Sequence, residues 1–307
     1  MAGGELVIRA VENYLAARHA AGFELKSQSY LVRSFARFAA ARDEKHIRTA
    51  TAIDWASRTV SVAQRDARLK AVCRFSRYLR AEDSRHELPP PRHFGYRKTR
   101  PLPHIYSREE IHRLMDAALK LEPPHSLPAQ TFVTLLGLLA ATGLRISEAL
   151  NLQLSDVTPD GLLIRKTKFQ KTRLVPLHQT VAARMERYLQ RRRQVRSSRQ
   201  EVFVDDDRRP LRYWDVYRTF QKVLKMAGLS PSSGRRYRLH HLRHTFAVRA
   251  LEASPAGRQR IGQHMLALAT YMGHVNIDST YWYLETTPEL LRGIAIVGEA
   301  FLCGGRT

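Results

Sequence analysis

The chain has 307 residues, a length that suggests two domains at roughly 150 residues each. Hydrophobic residues make up 44% and aromatics 8%, enough apolar surface for real cores, which excludes wholesale disorder. Lys and Arg number 51 against 28 acidic residues, and a formal charge of +23 on a folded protein asks for a polyanionic partner.

The basic excess is not local. Residues 1–100 carry 20 basic and 10 acidic side chains and the remainder 31 and 18, so both halves are expected to face the same polyanion. Cys73 and Cys303 are too few and too far apart for a disulfide scaffold or a thiolate metal site, which fits a reducing cytosol. Met1 to Tyr14 carries Glu5, Arg9 and Glu12 and lacks a signal-peptide core. The longest apolar run, Thr131 to Leu144, spans 14 residues broken by threonines and two glycines, short for a bilayer and suited to a buried helix. The expected setting is the bacterial cytoplasm, on the nucleoid, with no membrane insertion.

Residues 5–83 read as helical. Leu6, Ala10, Val11, Tyr14 and Leu15 recur at helical spacing, as do Tyr30, Leu31, Phe35 and Phe38. Leu69, Val72, Cys73, Phe75, Tyr78 and Leu79 form a third stripe, with Arg68, Lys70, Arg74, Arg77 and Arg80 around it, as in a helical bundle lying on phosphates. Residues 84–104 hold Pro89, Pro90, Pro91, Pro101 and Pro103 among five basic residues, which reads as a stiff extended linker over 89–104 tracking a phosphate backbone. Ser107 followed by Glu109 and Glu110 opens a helix and a second domain, 105–307.

The second domain reads as mostly helical with one strand-rich interruption. Asp160-Gly161 is a turn between the apolar runs Leu152–Val157 and Leu162–Ile164, and a further turn near Phe169 precedes Arg173-Leu-Val-Pro-Leu177. The expected fold is mainly α: an N-terminal helical domain, 1–88, then a C-terminal helical domain carrying a small antiparallel three-stranded sheet. Arg191–Arg199, five arginines in nine residues, reads as a helix end and loop.

Four local patterns carry candidate chemistry. In Ala141-Thr-Gly-Leu-Arg-Ile-Ser-Glu148 a buried helix breaks at Gly143 and Arg145 stands at the next helix start, a natural phosphate seat, with Glu148 able to orient it or to form a structural ion pair with it. In Thr167-Lys-Phe-Gln-Lys-Thr-Arg-Leu-Val-Pro-Leu177 a lysine on a tight hairpin can reach into a groove or simply be solvated. In Leu239-His-His-Leu-Arg-His244, His240 and Arg243 share a helical face and can grip one anion. His240 and His244 could instead be a zinc pair, but no carboxylate lies between them and Arg243 would repel a cation. The last, Tyr271-Met-Gly-His-Val-Asn-Ile-Asp-Ser-Thr-Tyr-Trp-Tyr-Leu284, reads alone as an aromatic core helix.

In this order the four patterns resemble the tyrosine recombinase (phage integrase) family, whose signature is an arginine, a hairpin lysine, His-x-x-Arg, a later His or Trp, and a nucleophilic tyrosine. The resemblance covers essentially the whole chain and implies an N-terminal core-binding domain and a catalytic domain with a C-terminal tail helix. It assigns Arg145 as first arginine, Lys168 as hairpin lysine, His240 and Arg243 as the His-x-x-Arg pair, His274 as the later histidine and Tyr283 as nucleophile. Tyr281 is offset by two positions and would face elsewhere. The stretch Glu252 to His264 is extra relative to compact members, and the wording around Tyr271–Leu284 resembles transposon-encoded recombinases that act in trios.

What the resemblance implies is a site-specific DNA recombinase of a mobile element that works through a 3′-phosphotyrosine. The guanidiniums of Arg145 and Arg243 would hold the nonbridging oxygens, His240 would take the phenol proton, Lys168 would protonate the leaving 5′ oxygen and His274 would hydrogen-bond the phosphate. No metal or cofactor is implied, and the sequence has no Walker-type glycine loop and no carboxylate cluster for two Mg²⁺ ions. The implied partners are double-stranded DNA with inverted half-sites, further copies of the chain in a tetramer, and sister recombinases of the same element. Leu290, Leu291, Ile294, Val297 and Phe301, at helical spacing, are expected to dock on a neighbouring protomer. Two alternatives keep the same fold: a type IB topoisomerase-like nicking-closing enzyme, and a noncatalytic DNA-binding accessory protein.

Overall fold

The structure, a computed structural model, describes residues 3–96, 102–123, 126–165, 172–194, 199–205, 207–229, 237–253 and 258–273. The chain divides into two compact units, Met1–Pro101 and Leu102–Thr307. Each is mainly helical, and the second carries the one three-stranded sheet found among the described residues.

The first unit consists of α1 (Gly3–Ala20), α2 (Lys26–Ala40), α3 (Thr49–Ser57) and α4 (Val62–Arg80). Val7, Val11, Tyr14 and Leu15 of α1 meet Val32, Phe35 and Ala39 of α2, Trp55 of α3, and Leu69, Val72, Phe75 and Leu79 of α4 in one core. Tyr30, expected on the apolar stripe of α2, is instead exposed, at 68%. The buried positions are 29, 32, 35, 36 and 39, and with about 100° between successive helical residues Tyr30 falls off that stripe.

The proline-rich stretch departs from an extended path at residues 91–94. Pro89 is buried and its carbonyl accepts from the Cys73 thiol at 3.1 Å, while residues 91–94 form a turn in which the His93 N–H donates to the Pro90 carbonyl at 3.3 Å. Phe94 supplies the reason, since it packs onto the four-helix core and draws the backbone back with it.

The second unit opens with α5 (Arg108–Leu119), capped as expected: Ser107 Oγ accepts from the Glu110 N–H and the Glu110 carboxylate accepts from the Ser107 N–H. α6 (Leu127–Thr142) is the predicted apolar helix, mostly buried and packed against α5, α8 (Gln179–Gln194) and α10 (Leu239–Glu252). α7 (Ile146–Leu150) follows it closely. The sheet is an antiparallel meander of β1 (Val157–Thr158), β2 (Gly161–Ile164) and β3 (Arg173–Val175), with Leu162 opposite Val175 and Ile164 opposite Arg173. The run Leu152–Val157 gives only the start of β1, because Leu154–Asp156 coils into a 3₁₀ turn.

α9 (Tyr213–Met226) and α11 (Arg258–Met272) are the remaining helices of the unit among the described residues. The arginine-rich end of α8 is partly structural: Arg192 is buried and donates to the Arg199 carbonyl at 3.1 Å. Among the described residues no helix is long and apolar enough to cross a membrane.

Leu135, at the middle of α6, is completely buried. Leu135→Ala is expected to lower the unfolding free energy by about 2–5 kcal/mol, the cost of a core cavity, read as a lower denaturant midpoint of the full chain. An unchanged midpoint would contradict the central position of α6.

Candidate active site

The site is built from the ends of helices. α6 stops at Gly143, whose φ of 62° and ψ of 20° place it in the left-handed region, with its N–H donating to the Leu139 carbonyl at 3.0 Å. A side chain there would be excluded twice, since a Cβ would lie 2.5 Å from the Phe246 ring. The break turns Arg145 into the N-cap of α7. Its N–H donates to Glu148 Oε2 at 3.0 Å and its Nη1 to Glu148 Oε1 at 2.8 Å.

α10 supplies His240 and Arg243 from one face. Arg243 is only 2% exposed, and a buried guanidinium must find acceptors. It donates to the carbonyl of Gly143 and, at 2.8 Å, to that of Met272. Met272 closes α11, where the last carbonyls of a helix have no partner within it.

Two more arginines use the neighbouring carbonyls. Arg173 Nε donates to Tyr271 O at 2.9 Å and Arg145 Nη2 to Gly273 O at 3.1 Å. Three guanidiniums, from α7's cap, β3 and α10, thus hold three consecutive carbonyls at one helix end. Gly273 has φ 65°, and a Cβ on it would approach Arg173 Nη1 to 2.8 Å, so the helix end requires glycine for both its turn and its contact.

Glu148 ties the cluster together. Besides Arg145 it accepts from Arg173 Nη1 at 3.1 Å and Nη2 at 2.8 Å. Burial alone would raise its pKa, but the hydrogen bonds and charges of Arg173 and Arg145 prevail and hold the carboxyl below its ordinary range. Arg173 spends Nε and both terminal nitrogens on this framework, whereas Arg145 is partly exposed and has donors beyond those given to Glu148 and Gly273.

His240 lines a cleft of about 720 Å³ between α9 and the start of α10. It lines a concavity, so water reaches the ring while protein still surrounds it. That surrounding protein, and then the charges of Arg243, Arg145 and Arg238, push its pKa below the ordinary histidine value, leaving a neutral imidazole at neutral pH. Its ring packs edge-on against His244, centroids 4.6 Å apart. Two guanidiniums and a neutral base around a site of positive potential suit a phosphoryl group and a proton transfer beside it.

Of the six side chains singled out in the sequence, Arg145, His240 and Arg243 are brought together. Lys168, His274 and Tyr283 lie outside the described residues, as do Tyr281, Trp282 and the tail from Leu290. The extra stretch Glu252–His264 bridges two helices: Glu252 ends α10, and residues 258–264 are the first half of α11. Among the described residues no group of three His, Cys, Asp or Glu side chains is placed to hold a metal ion.

The pattern of the phage integrase family matches residues 105–289, most of the second unit and well over half of the chain. The chain belongs to the tyrosine recombinases of the phage integrase family. The recombinase is 38% identical over 296 residues to a Sinorhizobium fredii protein named as an integrase/recombinase, y4rB, covering 92% of this chain and 94% of that one. It is 31% identical over 226 residues to the tyrosine recombinase XerA of Thermococcus kodakarensis, covering 73% and 71%. Among solved structures its fold is similar to that of the Tn1549 transposon integrase in complex with transposon right end DNA, with a TM-score of 0.66, 17% identity and coverage of 94% and 98%. It is equally similar to the XerH recombinase bound to a palindromic difH substrate, at TM-score 0.66, 19% identity and coverage of 90% and 80%.

In the sequence Arg173 stands out only as the first residue of the third strand, with no role at the site. A signal existed. Arg173 and Val175 share a face of β3 by strand alternation, and Val175 is fully buried, so the arginine had to point inward and needed an acid.

Glu148→Ala is expected to destabilise the recombinase by about 3–5 kcal/mol, because it leaves the little-exposed guanidinium of Arg173 without its carboxylate and takes that partner from the partly exposed Arg145 as well. The contribution of Glu148 is complete above the ordinary carboxylate range and is lost as the pH falls through its lowered folded-state value. Urea midpoints measured from neutral to acidic pH check this: the wild type should fall with acid more steeply than Glu148→Gln, and parallel curves would contradict it.

Proposed function

We propose that the recombinase cuts and rejoins duplex DNA through a 3′-phosphotyrosine at Tyr283, exchanging strands between two duplexes of a mobile element. The observation that carries this is the convergence of Arg145, Arg243 and a neutral His240 at the end of α11, directly before His274 and the Tyr283 segment.

A phosphodiester resists attack because its oxygens are already negative and gain charge in the transition state. Arg145 and Arg243 relieve that charge on the nonbridging oxygens, and their planar forks fix its geometry. The Tyr283 hydroxyl gives its proton to His240 as its oxygen bonds to phosphorus. A phenol with a pKa near 10 needs such a base. The 5′ oxygen leaves with a proton from Lys168, and His274 hydrogen-bonds the phosphate. One P–O bond forms and one breaks, so the ester energy is kept and a different 5′ hydroxyl can reverse the step without ATP.

Strand exchange rather than relaxation is supported by the similarity to solved recombinases bound to DNA, one of them a lambda integrase tetramer on a Holliday junction. The similarity to a transposon integrase and to y4rB supports a mobile element as the source of the recombinase. Inverted half-sites, a tetramer joined through the helix that begins near Leu290, sister recombinases of the same element, and action on the bacterial nucleoid complete the proposal. The charge of +23 supports the DNA partner on both units.

Incubation with a nicked half-site from the ends of the encoding element, followed by denaturing electrophoresis, should reveal a covalent adduct that Tyr283→Phe abolishes. Arg145→Lys and Arg243→Lys should each slow adduct formation by about 10²–10³, the usual cost of one preorganised charge. Because the His240 pKa is lowered, the acid limb of the pH–rate profile should lie below the ordinary value of 6.5. An adduct that persists in Tyr283→Phe would overturn the assignment.

A further inference from the structure

The start of α9 exposes aromatic rings that no core accounts for. Tyr213 is 55% exposed, Trp214 62% and Tyr217 37%, and the Trp214 and Tyr217 rings stack on each other with centroids 5.4 Å apart and planes 20° apart. Large rings left in water on so highly charged a protein call for a ligand. Tyr213 and Tyr217 stand at the cleft that His240 lines, and Trp214 reaches it only through its stack on Tyr217. The walls of the cleft include Tyr213, Tyr217, Gln221, Lys225 and Arg238, and the His240 end is the candidate phosphate site.

We propose that this cleft seats a nucleobase that has left its pair beside the scissile phosphate, stacked on the α9 aromatics while strands exchange. The inference rests on the strand-exchange reading above and specifies what the site holds besides the phosphate. Its chemistry follows from the walls. An aromatic ring offers a face, and a base in a duplex has both faces covered by its neighbours, so only an unpaired base can use these rings.

Gln221 brings a donor and an acceptor, and Lys225 and Arg238 bring donors, which suit the hydrogen-bonding edge that unpairing exposes. A volume of about 720 Å³ lies within the range of small-molecule sites and accommodates a base with its sugar. The shape also counts. A reader of paired bases must protrude into a groove, whereas a concave wall receives a group that swings out. Because His240 belongs to both sites, the seated base lies next to the phosphate being attacked. Strand exchange obliges bases beside the cut to leave one complement before finding another, and the seat would hold one of them in that interval.

Strand transfer by the full-length recombinase on fully paired DNA, against DNA carrying a single mismatch at the base beside the cut, tests the seat. Tyr217→Ala should slow transfer on paired DNA by about tenfold, the loss of one base–aromatic stack, while Tyr217→Phe, which keeps the ring, stays near wild type. The mismatch, which removes the cost of unpairing, should bring Tyr217→Ala back toward wild type. Trp214→Ala, which removes the exposed ring stacked on Tyr217, should show the same pattern more weakly without affecting the fold. A defect equally large on paired and mismatched DNA would mean the rings contact a paired duplex, and no defect at all would mean they do not contact DNA here. Either result overturns the seat. If the wild type forms no Tyr283 adduct on either DNA, it is the strand-exchange reading that fails; an adduct without any effect of Tyr217 sinks the seat alone.

Discussion

The end of α11 is the point on which the site depends. A helix terminus leaves carbonyls without partners and gathers partial negative charge, and here three of them, at residues 271–273, are held by Arg173, Arg243 and Arg145. The arrangement serves both parties. Arg243 is buried and needs acceptors, and the helix end needs donors, so each satisfies the other. Since the three guanidiniums come from β3, α10 and the cap of α7, one helix end fixes the relative positions of three separate elements.

The same arrangement leaves the site short of negative charge. Glu148 is the carboxylate shared by Arg145 and Arg173, and its lowered pKa shows how strongly the cations hold it ionised. His240 feels the surplus from the other side: the protein around it lowers its proton affinity most, and the charges of Arg243 and Arg145 lower it further. The two arginines on Glu148 differ in what is left over: Arg173 is committed to Tyr271 and Glu148, while Arg145 stays partly open to solvent.

Much of this was legible in the sequence, for identifiable reasons. The α6 apolar run, Gly143 as a helix stop and Ser107 as a cap are local signals that residue chemistry dictates directly, and each appears where expected. The pairing of Arg145 with Glu148 also follows from helical spacing, although two readings stood open: an anion seat or an ion pair. The structure has the ion pair and still leaves Arg145 facing the site. What the sequence withheld is tertiary. Main-chain carbonyls carry no sequence identity, so the clamp at 271–273 had no signature, and Arg173 was legible only as the start of a strand. The proline-rich stretch turns because Phe94 packs on the first unit's core, a contact composition does not encode.

The helix end and its guanidiniums are tested most directly by a crystal structure of Tyr283→Phe bound to a half-site. The expected density shows the scissile phosphate with its nonbridging oxygens in hydrogen-bond reach of Arg145 and Arg243, both still donating to the carbonyls of Gly273 and Met272. A phosphate bound elsewhere, or guanidiniums swung away from those carbonyls to reach it, would contradict the claim that the end of α11 preorganises the site.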